Sequence, residues 1–203
     1  MVEGDGGGSR ASWVACHGLG AGVVLGGGCR VGACREREVA VSGGVEAAVE
    51  RLIRLLLERG VTLATAESLT GGMVGAVLTD VPGVSAVYRG GVVVYATDLK
   101  AKLAGVPEEL LAAVGPVHPD TAAALASGVR ERLEADYGLA TTGVAGPDPQ
   151  AGVEAGTVYV AAAGPGSVQV RKLQLTGDRA AVRRGSVQAV LELGAELVAE
   201  ELD

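Results

Sequence analysis

No phenylalanine occurs in the 203 residues, and tryptophan and tyrosine contribute one and four rings. A core without large rings is filled by valine, leucine and alanine, which pack to native density only where elements approach closely. Tightly packed α/β layers meet that condition, and the chain is long enough for one domain with a proper core. The formal net charge is −7, with no basic stripe, which argues against general nucleic-acid binding. An anionic small ligand stays compatible, because a few arginines and backbone amides can hold one locally. No apolar run approaches the ~20 residues of a membrane span, and the weakly apolar Val14–Leu25 lacks the basic start of a signal peptide. The expectation is a cytoplasmic protein with no membrane partner.

Residues 1–43 differ from the rest. Gly6-Gly7-Gly8 and Gly26-Gly27-Gly28 punctuate a stretch with little periodicity, a composition that does not repay its ordering entropy. It reads as a disordered Gly-rich tail, with the folded domain over 44–203. The cysteines Cys16, Cys29 and Cys34 all fall in that tail, odd in number and irregularly spaced with His17 nearby, which is a weak metal signal and argues against a disulfide framework. After residue 43 no His, Cys or carboxylate spacing suggests a metal, and no metal or other cofactor is expected.

From Gly44 the pattern sharpens. Val45, Val49, Leu52, Ile53, Leu56 and Leu57 recur at helical spacing until Gly60. Val61–Ala66 reads as a buried strand, Thr70–Thr79 as a helix, and Ser85–Ala96 as one long or bulged strand. Asp98 is expected to cap a short helix through Leu103, and Pro107 to start another that ends near Gly115. Pro119–Ala135 is a helix with a small-residue face, Leu139–Thr142 a strand, and Gly143–Ala155 a loop. Thr157–Ala163 and Ser167–Leu175 form a hairpin, and Asp178 caps a last helix running to about Glu200. Helices alternating with strands in this order predict a three-layer α/β/α sandwich around a mixed, mostly parallel sheet.

Three strand ends carry chemistry. In the first, Val61–Ala66 leads into Ser68, then Thr70, Gly71 and Gly72. A serine at such a turn can stand clear of the backbone, and the N–H groups of Thr70, Gly71 and Gly72 are expected to be free for an anion. The bland alternative is a helix cap with glycines for close packing. In the second, Tyr95 ends a strand and Lys100 follows on the first turn of a helix. A lysine there opposes the helix dipole. To act as a base near neutral pH its pKa must fall by about 3 units, roughly 4 kcal/mol, which burial rather than the dipole has to supply. A solvated surface lysine is the alternative, and Lys102 is its better example. In the third, Thr142 stands where a strand stops, and Gly143 and Gly146 follow with backbone donors for a carbonyl or phosphate; Thr142 could equally finish a turn.

Taken together, these segments resemble the CinA C-terminal domain family over residues 45–203. Its Thr-Ala-Glu-Ser-Cys-Thr-Gly-Gly is matched at 65–72 with Leu69 in place of cysteine. Its Tyr-Ser-Asn-x-x-Lys is matched at Tyr95 and Lys100, with Ala96 and Thr97 between, and its Thr-Gly-Ile-Ala-Gly-Pro at 142–147 with Val144 for isoleucine. Gly177-Asp178-Arg179 and Val182-Arg183 match the family's ending. Where the family often has Lys-Pro-Val, this chain has Val153-Glu154-Ala155. The best-characterised activity of the family is nicotinamide-nucleotide amidase, the deamidation of nicotinamide mononucleotide in pyridine-nucleotide salvage. The resemblance implies a metal-free Ser–Lys amidase with Ser68 as nucleophile and Lys100 as its general base. It gives Tyr95 and Thr142 supporting roles, and the substrate is a small nucleotide. Residues 1–43 are too short for the additional N-terminal domain of larger members, so a standalone amidase is expected. A non-catalytic nucleotide-binding regulator, an amidohydrolase for another amide, and a homo-oligomer all stay open.

Overall fold

A computed structural model describes residues 44–201 and three short segments before them, β1 (Val24–Leu25), β2 (Cys29–Val31) and β3 (Arg35–Glu36). The domain then runs α1 (Val45–Arg59), β4 (Leu63–Glu67), α2 (Met73–Thr79), a 3-10 turn (Val84–Ala86) and β5 (Tyr88–Val93). It continues through α3 (Thr97–Ala104), α4 (Glu108–Val114), α5 (Pro119–Arg132), β6 (Tyr137–Gly143), β7 (Thr157–Ala163), β8 (Ser167–Gln174) and α6 (Arg179–Glu200).

The sheet places β4 between β5 and β6, parallel to both. Beyond β6 lie β7 and then β8, each antiparallel to its predecessor, so β7 alone of the domain's strands runs against the others. The mixed, mostly parallel sheet of the α/β sandwich is therefore present. Segments β2 and β3 pair in parallel with β8, and β1 lies antiparallel to β2, where the sequence predicts no regular structure. The remainder of the tail, and with it most of what was expected there, lies outside the described residues.

The two faces of the sheet are packed differently. On one, Leu52 and Leu56 of α1 and Leu191 and Leu197 of α6 lie over Leu63, Leu139, Val158 and Val160. On the other, Ala122, Ala123 and Ala126 of α5 lie over Ala64, Ala66, Ala140 and Ala161. The ring-poor composition is satisfied by close approach on this second face. A Cβ added at Gly138 would overlap the Ala126 carbonyl, and one at Gly128 would overlap the Ala104 carbonyl of α3. The second contact brings α3, which carries Lys100, down against α5 and the sheet.

Three boundaries depart from expectation for local reasons. Residues 84–86 form a 3-10 turn, and the strand spans only Tyr88–Val93, with its register shifting where it passes β4. Gly71 and Gly72 adopt φ of 60° and 96°, so α2 begins at Met73 and not at Thr70. Asp98 is not a cap: Ala96 occupies that position, and Asp98 pairs with Lys102 at 2.7 Å. Asp178 does cap the last helix, its side chain accepting from the Ala181 N–H at 2.7 Å.

Candidate active site

Strand β4 ends in a pair of residues that leave the sheet on opposite sides. Leu63 belongs to the leucine-rich face and Ala64 and Ala66 to the alanine-rich face, as the two-residue period of a strand requires. Continued by one step each, that alternation sends Glu67 toward α2 and Ser68 toward α3. The Ser68 N–H donates to the Thr141 carbonyl at 3.0 Å, so the residue is still tied to β6. Ser68 itself is 8% exposed.

Lys100 meets it from α3. Its Nζ lies 3.1 Å from Ser68 Oγ and donates to the Val94 carbonyl at 2.7 Å. The residue is 1% exposed, and among the described residues no carboxylate pairs with it. Burial lowers its pKa from 10.5 to about 8, because removing the ammonium from water disfavours the charged form. The cause is the burial expected from the sequence, and the fall is somewhat smaller than the roughly 3 units required there. A neutral amine has two N–H groups and one lone pair: an N–H on Val94 leaves the lone pair for the Ser68 proton. Lys102, two residues on, is solvent-exposed, and its pKa is raised by hydrogen bonding to Asp98.

The other candidate residues are placed less simply. Tyr95 lies past the end of β5, 59% exposed, and its hydroxyl accepts from Arg179 Nη2 at 2.8 Å. Thr142 is fully buried, but its hydroxyl donates to the Pro116 carbonyl at 2.6 Å. Neither residue hydrogen-bonds Ser68 or Lys100, so a supporting role for them would be toward the substrate; what holds the amine is the Val94 carbonyl, a backbone group no motif reveals. The N–H groups of Gly71 and Gly72 are not free either. That of Gly71 donates to the Ser68 carbonyl at 3.1 Å and that of Gly72 to the Glu67 carboxylate at 2.9 Å. The Thr70 hydroxyl shares a hydrogen bond with that of Thr141 at 2.8 Å. Gly143 lies where a Cβ would crowd the Thr157 carbonyl at 2.7 Å, which gives it a packing role. Gly146 has φ 82°, and its carbonyl accepts from Arg179 Nη1 at 3.0 Å.

Three residues that shape the site had no role in the sequence reading. Glu67, 3% exposed, accepts from the N–H groups of Gly72, Val74 and Gly75. Arg183 donates to the Leu69 and Thr70 carbonyls at 3.1 and 2.7 Å. Arg179 joins Tyr95 to Gly146. A signal for the arginines existed: both stand in the first turns of α6, which contain no acidic residue in the first turn, where the dipole disfavours cations. Among the described residues no group of three or more His, Cys, Asp or Glu side chains is arranged to hold a metal ion, and no helix is long and apolar enough to cross a membrane.

Comparison with known proteins identifies a family for this fold. The family model described as the CinA C-terminal domain matches residues 45–198. A CinA-like protein of Frankia casuarinae is 51% identical over 78% of the chain, and a putative competence-damage inducible protein of Desulforamulus reducens is 43% identical over 71%. The matched regions are 37% and 36% of those two proteins, so the chain spans about a third of their length. A competence-damaged protein (CinA) superfamily structure from Klebsiella pneumoniae superposes with a TM-score of 0.75 at 31% identity, covering 78% of this chain and 99% of the other. One from Escherichia coli gives 0.74 at 28% identity, covering 81% and 95%.

Proposed function

The chain belongs to the family of the CinA C-terminal domain, and from that premise we propose that it is a metal-independent nicotinamide-nucleotide amidase using Ser68 and Lys100. The observation that carries the proposal is the 3.1 Å approach of Ser68 Oγ to an amine that is 1% exposed and lacks a carboxylate partner. A structural lysine so deeply buried is ordinarily paired with a carboxylate. This one faces a hydroxyl and a carbonyl, and its pKa of about 8 leaves a usable neutral fraction near physiological pH.

The reaction follows from those two groups. Neutral Lys100 accepts the Ser68 proton as Oγ attacks the carboxamide carbon of nicotinamide mononucleotide. The tetrahedral intermediate collapses, the C–N bond breaks, and the lysine proton leaves with ammonia. Water, deprotonated in turn by Lys100, attacks the ester carbon; nicotinate mononucleotide departs and Ser68 regains its proton. The pyridinium ring withdraws electrons from the carbonyl and eases both attacks. Arg179, exposed and linking the Tyr95 and Gly146 segments, is suited to hold the anionic part of a nucleotide.

Ammonia release from nicotinamide mononucleotide by purified protein, with Ser68→Ala as blank, tests the reading. Release by the wild type and none by the variant is the expected result. Binding without release would replace the enzyme by a nucleotide-binding regulator, and comparable turnover of unrelated amides would make it a broader amidohydrolase.

A further inference from the structure

The turn between β4 and α2 has a set of backbone donors that narrows to two. The Ser68 N–H is held by Thr141, that of Gly71 by Ser68 and that of Met73 by Thr70, at 3.0, 3.1 and 3.3 Å. The N–H groups of Gly72, Val74 and Gly75 all end on the Glu67 carboxylate, at 2.9, 3.0 and 2.8 Å. Between Ser68 and Gly75, only the N–H groups of Leu69 and Thr70 have no acceptor among the described residues. These residues are 4% and 0% exposed, and buried N–H groups without a partner are rare. The peptide plane between them is set from the other side. Arg183 takes the Leu69 carbonyl at 3.1 Å, and in a trans peptide the N–H points opposite the C=O, so the Thr70 N–H is turned away from α6. Both open donors directly follow the serine whose attack turns a carbonyl oxygen into an oxyanion, which is where such donors act.

We propose that Glu67 is a positioning residue of the active site: it occupies the donors at the start of α2, so that the substrate's carbonyl oxygen is received by the N–H groups of Leu69 and Thr70. Glu67 makes no hydrogen bond to Ser68 Oγ or Lys100 Nζ and acts only through the backbone. The inference rests on the reading of Ser68 as nucleophile.

A fluorophosphonate tests it without reference to the natural substrate. Ser68 Oγ bonds to phosphorus, the P–F bond breaks, fluoride leaves and Lys100 takes the proton, while the phosphoryl oxygen occupies the oxyanion position. In amide spectra of phosphonylated wild-type protein, the Leu69 and Thr70 protons are expected to move downfield and exchange more slowly, with those of Gly72, Val74 and Gly75 unmoved. Movement of Gly72, Val74 or Gly75 with Leu69 and Thr70 unmoved overturns the proposal, and this measurement needs no variant to fold. In folded Glu67→Gln, labelling at pH 9 is expected to be about 10–100-fold slower, less than the roughly 100–1000-fold cost of removing an oxyanion donor outright, because the donors are displaced and not deleted. Its pH midpoint should stay close to that of the wild type, since Glu67 makes no hydrogen bond to Lys100 and the burial that lowers the lysine pKa is unchanged; wild-type labelling rates overturn the proposal. Wild-type protein that is not labelled at Ser68 removes the nucleophile and this inference together. Protein that is labelled but releases no ammonia removes the amidase reading and leaves this one standing.

Discussion

On one face of the sheet, Glu67 is 3% exposed and its carboxylate accepts three backbone N–H groups. One residue later, on the other face, Ser68 meets Lys100, which is 1% exposed and has, among the described residues, a hydroxyl and a carbonyl as its hydrogen-bond partners. Both ionisable groups are equally out of water, yet one is saturated with partners of complementary polarity and the other is kept without a counter-charge. A saturated group stabilises its surroundings and has nothing left to give. An unsaturated one is costly to bury charged, and that cost makes its proton mobile. Burial by itself therefore does not single out Lys100; burial without a counter-charge does, and the proposed base role rests on it.

The largest effect separates the two in kinetics. Ser68→Ala and Lys100→Ala are each expected to lower kcat by about a thousandfold or more, and the double variant hardly further, because paired groups are non-additive. Lys100→Arg should not rescue, since arginine stays protonated. The wild-type rate should rise with pH to a midpoint near the lysine pKa of about 8, falling about tenfold per unit well below it. A flat profile between pH 6 and 9 would show that Lys100 is not the base.

Stability should separate them with opposite signs. Glu67→Gln puts an amide NH2 against backbone donors and orphans at least one buried N–H, a loss of about 1–3 kcal/mol. Lys100→Met is expected to stabilise at pH 7 by on the order of 1–2 kcal/mol, after allowing for the Val94 carbonyl left unpaired. The lysine pKa falls from 10.5 unfolded to about 8 folded, so between those values the unfolded chain binds more protons and wild-type stability rises with pH. Below about pH 8 the penalty is present in full, and by about pH 10.5 it is relieved. Urea melts at pH 7 and pH 10 should therefore show the advantage of Lys100→Met shrinking at the higher pH. An advantage that grew with pH would contradict a lowered lysine pKa.

Thr142→Val comes next. The hydroxyl ties β6 to the α4–α5 connection through the Pro116 carbonyl at 2.6 Å, and a buried hydrogen bond of this kind contributes about 1 kcal/mol. Denaturant melts should show that loss, with kcat reduced only a few-fold. A kcat loss matching that of Lys100→Ala would return Thr142 to the catalytic group.

What the sequence made legible is what local pattern controls. The serine after a buried strand, the lysine on a first helical turn, the Gly60 stop, the β7–β8 hairpin and the Asp178 cap are all decided within a few residues. The partners of those groups were not legible, because they arrive from distant segments. Arg179 takes the Tyr95 hydroxyl from 84 positions away, and Arg183 takes the Thr70 carbonyl from 113. Glu67 was the nearest miss. It stands inside the quoted motif, but the two left-handed glycines that fold the start of α2 back onto its carboxylate could be read equally as an open anion site.

The smallest expected effect is the sharpest control on the comparison. Lys102 shares α3 with Lys100 and differs from it in facing water, where it pairs with Asp98 at 2.7 Å. That pairing raises the Lys102 pKa and lowers that of Asp98. An exposed pair of this kind is screened by salt and holds two long side chains at an entropic cost, so it adds little. Lys102→Ala is therefore expected to leave the melting temperature, kcat and the pH midpoint of the rate indistinguishable from wild type at moderate ionic strength. The midpoint is the deciding quantity. If Lys100 is shifted by desolvation alone, removing a positive charge two residues away leaves it in place. If the midpoint instead moved upward in Lys102→Ala, and the movement vanished at high salt, then repulsion between the two ammonium groups would be part of what frees the Lys100 proton. The contrast with Glu67 would then be one of local charge as well as of missing partners.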